Sequence, residues 1–269
     1  MTQDPWQLAG TGAESYEQYQ VPSIFGPLAR IFLEHIPLQS GQRVLDVACG
    51  TGIVARQAAS IVLETGQIVG VDLNAGMLEM ARKHTPASSH IEWRQGDALS
   101  LPCSDAAFDV VLCQQGLQFF PDKLGALREM HRALVPYGIV GVCVWRAIEH
   151  SPFHLAVAAA IARHVSEEAA QQFQAPFAFG DADALRAVIN EAGFRDVDIR
   201  ATTVTRRLLP PEVSIPGLLA STPLGPGIMA LDARCREALV DEAATALGAY
   251  RDERGLTVPQ ATHIALARK

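Results

Sequence analysis

The first residues that could do chemistry lie in a glycine-rich turn, where a predicted strand passes into a predicted helix. Residues 44–52 read VLDVACGTG, and Gly50 and Gly52 let a ligand approach the backbone closely. The helix that follows offers unpaired N–H donors at its N-terminus. Asp72 stands twenty residues after Gly52, at the predicted end of the next strand, where a carboxylate can accept hydrogen bonds from both hydroxyl groups of a ribose. This spacing predicts a nucleoside-binding site.

A second acidic residue, Asp46, indicates the charge of the ligand at this turn. Residues 50–55 (GTGIVA) also fit the G-x-G-x-x-G/A pattern of dinucleotide sites, so an NAD-dependent oxidoreductase is an alternative. The carboxylate of Asp46 would repel a pyrophosphate, whereas it would attract the α-ammonium group of S-adenosylmethionine. Opposite charges about 4 Å apart are worth about 4 kcal/mol at an effective dielectric constant of about 20, before desolvation is subtracted. The sign of the charge therefore favours S-adenosylmethionine.

Four segments of the chain resemble, in order and in spacing, the motifs of class I S-adenosylmethionine-dependent methyltransferases. The resemblance is to the methyltransferase type 11 branch, which includes ubiquinone and menaquinone C-methyltransferases and many enzymes of secondary metabolism. It covers about residues 42–145 and is weaker beyond them. The matching segments are LDVACGTG at 45–52, VGVDLNAGML at 69–78, QGDA and LP at 95–98 and 101–102, and FDVV at 108–111. One departure is Pro136-Tyr137-Gly138, where the family usually has a Pro-Gly-Gly turn.

The resemblance implies a fold, a cofactor and a set of donor-binding residues. The fold is a doubly wound α/β sheet of seven mostly parallel strands, the Rossmann-like methyltransferase fold, with a helical lid. The cofactor is S-adenosyl-L-methionine, which leaves as S-adenosyl-L-homocysteine. The residues that the resemblance places at the donor are Asp46, Ala48, Cys49, Gly50, Gly52, Asp72, Leu73, Met77, Gly96, Asp97, Ala98, Gln114 and Tyr19.

The resemblance also assigns these residues to parts of the donor. The methionyl end faces Asp46 and the turn that follows it, and the ribose faces Asp72. Leu73 and Met77 pack against the adenine ring, while Asp97 reaches the adenine amino group with the help of the Ala98 backbone. A tyrosine of the N-terminal helix closes over the donor, which either Tyr16 or Tyr19 could do.

The catalytic residues are harder to predict, because the sulfonium donor is already reactive and the protein mainly aligns it and excludes water. The resemblance places Gln114 near the sulfonium and the acceptor. His150 and His154 stand four residues apart, so both could face one way on a helix, and they are candidates for a general base, as is Tyr19. No metal site is expected, since no third and fourth ligand accompanies the histidines. Arg146 could meet an acidic acceptor or pair with a surface carboxylate.

The rest of the sequence supplies the elements that must position these residues, as β-branched runs alternate with helical patterns. The predicted strands are 43–47, 68–72, 91–95, 109–113, 139–145, 197–208 (antiparallel) and 257–267. The predicted helices are 53–64, 75–84, 124–134, 150–173, 181–192 and 232–250. Residues 210–227 are rich in proline and glycine and predict a mobile or lid-forming segment.

These elements predict one methyltransferase domain over residues 1–269. It comprises an N-terminal helical segment (1–40), a donor-binding core (41–146), cover or lid segments (147–180 and 209–231) and a C-terminal completion of the sheet (181–208 and 232–269). Five apolar side chains of the cover could line an acceptor pocket or simply pack the lid onto the sheet: Phe153, Phe173, Phe177, Phe179 and Met229.

Composition limits the class of protein. Of the 269 residues 49% are hydrophobic, and the formal net charge of −7 argues against binding to nucleic acid or to an anionic membrane face. The longest apolar run is too short to span a bilayer, so no membrane insertion is expected. The five cysteines are well separated and lack a C-x-x-C pair, which is typical of reduced thiols in a cytoplasmic protein.

The predicted function is therefore transfer of a methyl group from S-adenosylmethionine to an O, N or activated C atom of a small organic acceptor. A secondary metabolite or a quinone-like compound would suit the apolar cover. Two alternatives stay open: the NAD-dependent oxidoreductase, and a non-catalytic S-adenosylmethionine-binding protein. The sequence also leaves a homodimer open.

Overall fold

A central sheet carries the residues of interest at the carboxyl ends of its strands. The computed structural model describes residues 11–63, 65–86 and 89–269, and all strand and helix bounds below refer to these residues. The strands are β1 (Arg43–Val47), β2 (Gln67–Asp72), β3 (Ile91–Gln95), β4 (Phe108–Gln114), β5 (Leu134–Trp145), β6 (Arg195–Leu208), β7 (Arg251–Asp252) and β8 (Gly255–Arg268). The strand order is β3-β2-β1-β4-β5-β8-β6, and the two-residue β7 pairs with β8.

The pairing of the strands confirms the predicted fold class. Strands β1 to β5 run parallel to one another, and β8 lies antiparallel between β5 and β6. The sheet is thus the expected mostly parallel one of seven long strands, and β7 adds a short eighth. The antiparallel strand predicted at 197–208 is β6, which begins two residues earlier.

Helices cover both faces of the sheet. They are α1 (Thr11–Ser15), α2 (Gly26–His35), α3 (Ile53–Val62), α4 (Ala75–Lys83), α5 (Lys123–Ala133), α6 (Pro152–His164), α7 (Glu167–Gln174), α8 (Ala182–Glu191), α9 (Pro211–Ala220), α10 (Gly225–Met229) and α11 (Ala233–Ala246). Between α1 and α2 the chain continues as a π-helical segment, Tyr16–Phe25. Capping residues set several of the helix starts: the side chains of Asn74, Asp122, Asp181 and Asp232 each accept a hydrogen bond from a backbone N–H in the first turn.

Two apolar cores lie on opposite faces of the sheet, because successive side chains of each strand point to opposite sides. On β1, Val44 belongs to the core that α2, α3, α6 and α11 cover, while Leu45 belongs to the core that α5 and α8 cover. In the described part of the chain no helix has both the length and the apolar character that a bilayer span needs.

The prediction of a single helix over residues 150–173 is wrong, because the chain forms two helices there. A 3₁₀ turn at Ile148–His150 precedes α6, which begins at Pro152, and α6 ends at His164. Proline favours the first helical turn, because its missing N–H would have no intrahelical partner there. A second helix, α7, then starts at Glu167, and the side chain of its N-cap residue Ser166 accepts a hydrogen bond from the N–H of Ala169.

The proline- and glycine-rich segment at 210–227 is also more regular than its composition indicates. Most of it folds into α9 and the start of α10, and Ile215, Leu218 and Leu219 of α9 are buried in the core. Their spacing of three and four residues puts them on the same side of α9. Pro211 is tolerated because it stands in the first helical turn.

Candidate active site

The turn after β1 has a backbone that few side chains would tolerate. Ala48, Gly50 and Gly52 have φ angles of 55°, 55° and 86°. At Gly52 a Cβ atom would lie 2.3 Å from the indole ring of Trp93, so this position requires glycine. At Gly50 a Cβ would meet nothing within 4 Å, because this residue borders open space. The turn therefore exposes its backbone to the space above the sheet while its far side packs against Trp93.

Asp72 ties this turn to the end of β2. Its Oδ2 accepts a hydrogen bond of 2.7 Å from the N–H of Gly50, and its Oδ1 accepts one of 2.8 Å from the N–H of Asn74. One carboxylate thus fixes the turns after β1 and after β2 relative to each other. Asp97, at the end of β3, accepts a hydrogen bond of 2.9 Å from the N–H of Leu99 and borders the same space.

Asp46 lies beneath the turn, in the strand. Its side chain is 1% exposed, and its Oδ2 accepts a hydrogen bond of 3.1 Å from the N–H of Ala55 at the start of α3. Within the described residues its other oxygen, Oδ1, has no hydrogen-bond partner. Burial, and then the nearby charge of Asp72, raise the pKa of Asp46 to about 8. The carboxyl group is therefore a buried acceptor that a cation at the turn could stabilise.

A cavity of about 860 Å³ opens above these strand ends, within the usual volume range of small-molecule sites. One end of the cavity is lined by nine of the residues predicted to bind the donor. They are Ala48, Gly50, Asp72, Leu73, Met77, Gly96, Asp97, Ala98 and Gln114.

The segments that border the cavity match a known protein family. Residues 45–142, which carry the turn and the strand ends, match the family model described as a methyltransferase domain. A demethylmenaquinone methyltransferase of Staphylococcus epidermidis is 32% identical over 200 residues, which cover 70% of this chain and 80% of that protein. The same enzyme of Staphylococcus aureus is 30% identical with the same coverage.

This chain belongs to the class I S-adenosylmethionine-dependent methyltransferases. Its activity is methyl transfer from S-adenosylmethionine, which decides against the NAD-dependent oxidoreductase and the non-catalytic binding protein.

Solved structures share the fold of this methyltransferase at low sequence identity. The YcgJ protein of Bacillus subtilis is 16% identical, with a TM-score of 0.60 and coverage of 90% of this chain and 97% of that one. A phosphoethanolamine N-methyltransferase of Haemonchus contortus, in complex with S-adenosyl-L-methionine, is 22% identical with a TM-score of 0.61; the match covers 96% of this chain and 57% of that one.

Four of the residues predicted at the donor lie outside the cavity lining of the methyltransferase. Asp46 is beneath the turn, and Gly52 packs against Trp93. The thiol of Cys49 is buried beside Gly70, and the ring of Tyr19 packs against Gly217 of α9. These four residues shape the turn, its charge and the helical wall around the cavity.

Tyr16, the other tyrosine considered for the N-terminal helix, does line the cavity. Its ring stacks on Phe25 with centroids 4.9 Å apart. Burial of the hydroxyl group, and the charge of Asp72, raise the pKa of Tyr16, which keeps it protonated. The structure thus brings Tyr16 to the cavity and turns Tyr19 towards α9.

The two candidate histidines are separated, because His150 ends the 3₁₀ turn before Pro152 starts α6. His150 is exposed, whereas His154 is buried and lines the cavity beside the rings of Phe173 and Phe177. Burial, and then the charge of Arg206, hold the pKa of His154 well below its usual value, so its imidazole is neutral. The described residues contain no group of three histidines, cysteines or acids that could hold a metal ion.

Of the five apolar side chains predicted for an acceptor pocket, two line the cavity and three do not. Phe173 and Phe177 line the far end of the cavity, and Phe153 packs beneath Arg206 with the guanidinium carbon 5.1 Å from the ring centroid. Phe179 instead lies under the ammonium group of Lys123, and Met229 is 56% exposed. Burial lowers the pKa of His263, and the positive charge of Arg146 lowers it further.

The polar side chains at the far end of the cavity were not predicted from the sequence. Gln20, Arg206, Ser221, Thr222 and Gln260 line the cavity there, and all five are buried. The one available signal was the alternation of β6, which puts Arg206 on the same face as Val204 and Leu208. An arginine on the apolar face of a strand is uncommon enough to mark a site.

Proposed function

We propose that this methyltransferase binds S-adenosylmethionine across the ends of β1, β2 and β3 and methylates a small, flat organic acceptor held in the far end of the same cavity. The observation that carries the proposal is the continuity of the cavity. The donor motifs and the compartment formed by Phe173, Phe177 and Arg206 border one space, so a donor and an acceptor can meet there.

The residues at the near end fit the donor. The buried Oδ1 of Asp46, which lacks a partner among the described residues, suits an ammonium group above the turn. Asp72 presents a carboxylate for the ribose hydroxyls, and Met77 and Leu99 add apolar surface to the cavity for an adenine ring. When bound there, S-adenosylmethionine supplies an electrophilic methyl group on a sulfonium.

The protein's own contribution is alignment and the exclusion of water. Tyr16 and Phe25 of the π-helical segment form a wall over the donor end, and Gln114 borders the cavity at the end of β4. The amide of Gln114 is held by a hydrogen bond of 3.3 Å from its Nε2 to the carbonyl of Phe25, so strand and wall are joined. Neutral His154, beside Phe173 and Phe177, leaves Nδ1 without a hydrogen-bond partner among the described residues and could accept a hydrogen bond from the acceptor at the far end of the cavity.

A flat acceptor is supported by the aromatic lining and by the relatives. Trp145, Phe173 and Phe177 offer ring faces or edges to the far end of the cavity. The relatives at 30–32% identity are named for demethylmenaquinone, whose quinone ring is flat. We therefore propose a quinone-like or other aromatic ring as the acceptor's core.

Calorimetric titration of the protein with S-adenosylhomocysteine, with NADH as the control ligand, tests the donor site. We expect micromolar binding of S-adenosylhomocysteine and no binding of NADH. Transfer of radiolabelled methyl groups from S-adenosylmethionine to a panel of phenols, quinols and aromatic acids then tests the acceptor class. The donor site would be refuted by absent S-adenosylhomocysteine binding, and the acceptor class by transfer to aliphatic amines alone.

Proton release should accompany donor binding if Asp46 faces the ammonium group. With a pKa of about 8, Asp46 is mostly protonated at pH 7 in the free protein. A bound cation favours the carboxylate, so binding of S-adenosylhomocysteine at pH 7 should release close to one proton. The heats measured in phosphate and in Tris should therefore differ by the difference between the ionisation enthalpies of the two buffers, multiplied by the number of protons released.

Asp46→Asn is the matched control for this release, because an amide has the same shape and does not titrate. The variant should give equal heats in both buffers. Its free energy of unfolding should also fall less between pH 4 and pH 8 than that of the native protein. The folded protein binds a proton at Asp46 that the unfolded chain loses near pH 3.8, so rising pH costs stability in this window. Equal heats for the native protein would contradict the assignment.

A further inference from the structure

Arg206 brings a positive charge into the far end of the cavity. The side chain comes from β6 and is 1% exposed, yet its surface borders the cavity. Its Nη2 donates to Oε1 of Gln20 and, over 3.4 Å, to the hydroxyl of Ser23. Its Nη1 donates to Oε1 of Gln260 over 3.4 Å. All three partners are neutral.

Among the described residues, no carboxylate lies within ion-pair distance of Arg206. Buried charges in proteins are normally paired, because removing an ion from water costs several kcal/mol. The Nε of Arg206 also lacks a hydrogen-bond partner among these residues. Burial lowers the pKa of Arg206 to about 9, which still leaves the guanidinium charged at neutral pH. The protein thus maintains a cation whose compensating anion the described residues do not supply.

The acids of the cavity lie at its other end. Asp72 and Asp97 follow β2 and β3, and the strand order puts β1, β4, β5 and β8 between β2 and β6. The side chains described at Arg206 are neutral, since its guanidinium donates to Gln20, Ser23 and Gln260 and its charge acts on the neutral His154. The described residues thus supply no anion at Arg206, and a bound ligand could supply one.

A row of rings connects the two ends of the cavity. The centroids of Tyr16 and Phe25 are 4.9 Å apart, those of Phe25 and Trp145 6.0 Å, and those of Trp145 and Phe177 6.3 Å. The ring of His154 lies 4.9 Å from that of Phe177. The charge of Arg206 acts on this same His154. An elongated flat molecule could lie along this row from the donor to the guanidinium.

We propose that the acceptor is an aromatic compound with an anionic oxygen group, in the simplest case a carboxylate, which Arg206 binds at the end away from the methylated atom. The proposal rests on the proposed function, since it assigns the far end of the cavity to the acceptor. A guanidinium matches a carboxylate in charge and in planar geometry. The distance across the sheet from β4 to β6, about three strand spacings or 14 Å, separates the charge from the reacting end.

The test compares matched aromatic probes on the protein saturated with S-adenosylhomocysteine. 2-Naphthoate, 2-naphthamide and 2-naphthylmethylamine differ in charge and little in shape. We expect calorimetry to show that the carboxylate binds at least about 10-fold tighter than the amide, and that the amine binds more weakly still. Equal affinity for carboxylate and amide, or no binding of the carboxylate, would overturn the proposal.

Variants assign any preference to Arg206. Arg206→Gln should remove the preference for the carboxylate, and Arg206→Lys, which keeps the charge, should retain part of it. Arg207→Gln is the matched control, because Arg207 is the next residue of β6 and is exposed on the other face. Persistence of the full preference in Arg206→Gln would contradict the proposal. Should Arg206→Gln not fold, the native protein and Arg206→Lys decide it.

The donor site and the role of Arg206 can be refuted separately. Loss of S-adenosylhomocysteine binding in the native protein would refute the donor site. Intact binding of S-adenosylhomocysteine with no preference for the carboxylate would refute only the role of Arg206. In that case the guanidinium would serve to join β6 to the π-helical segment through Gln20.

Discussion

Replacing Asp72 by alanine is expected to weaken the binding of S-adenosylhomocysteine by about 100-fold or more. The substitution removes the acceptor for the N–H of Gly50 and the N–H of Asn74, so both turns lose their common anchor. It also removes the proposed acceptor for the ribose hydroxyls. A hydrogen bond to a charged group is worth about 1.5–3 kcal/mol. Loss of the two proposed hydrogen bonds from the ribose hydroxyls therefore accounts for about 100-fold or more in affinity. Calorimetric titration at constant pH measures the change.

The control for Asp72→Ala is an aspartate remote from the cavity. Asp198 is exposed on β6 and pairs with Arg200, so Asp198→Ala should leave the affinity for S-adenosylhomocysteine unchanged. Thermal unfolding of both variants separates a lost ligand contact from a lost fold. An affinity of Asp72→Ala within about three-fold of the native value would show that the carboxylate does not hold the donor.

The second large effect is expected on stability, from Gly52→Ala. The φ angle of 86° is unfavourable for alanine, and the added Cβ would lie 2.3 Å from the ring of Trp93. A left-handed backbone costs a non-glycine residue about 1–2 kcal/mol, and overpacking costs about 1–3 kcal/mol more. We expect a loss of about 3 kcal/mol in the free energy of unfolding and a decrease of about 6–12 °C in Tm.

The indole of Trp93 leaves little room for relief, because it also covers Gly70, where a Cβ would again lie 2.3 Å away. Gly227→Ala makes the same chemical change in α10, where a Cβ meets nothing within 4 Å, and should be neutral or slightly stabilising. Denaturant unfolding of the two variants gives the comparison. A loss below about 0.5 kcal/mol for Gly52→Ala would mean that the contact with Trp93 is not as close as described.

The turns that border the near end of the cavity could be predicted from the sequence, because their information is local. Gly50, Asp72 and Asp97 each stand at the end of a strand whose apolar run is recognisable, and parallel strands bring these ends to one edge of the sheet. The argument from Asp46 assumed an ionised carboxylate, whereas burial leaves this carboxyl group mostly protonated at pH 7 in the free protein. Fold class and the order of elements followed from the same alternation of strands and helices.

The residues at the far end of the cavity could not be predicted from the sequence, because they meet only after distant segments pack. Arg206 contacts Gln20, 186 residues earlier in the chain, and Gln260, 54 residues later. The position of Arg206 in the cavity depends on the pairing of β6 with β8 and on the docking of the π-helical segment. No sequence period reports either event.

Local irregularity explains the remaining differences. Tyr16 and Tyr19 stand in a π-helical segment, whose pitch departs from 3.6 residues per turn, so helical spacing could not tell which of them faces the donor. The pairing of His150 with His154 presupposed one continuous helix, and Pro152 starts that helix after His150.

The division of the cavity between chain segments has an evolutionary consequence. The donor end draws its strand-end residues from residues 47–121, whereas most of the far end comes from residues 145–260. Under the proposed function, drift in the second half of the gene can therefore alter the choice of acceptor while the cofactor site is preserved. Gln20 is the exception, since it bonds to both Arg206 and Ser221. Changes at Gln20 and at Arg206 should thus be inherited together when lineages of this enzyme diverge in what they methylate.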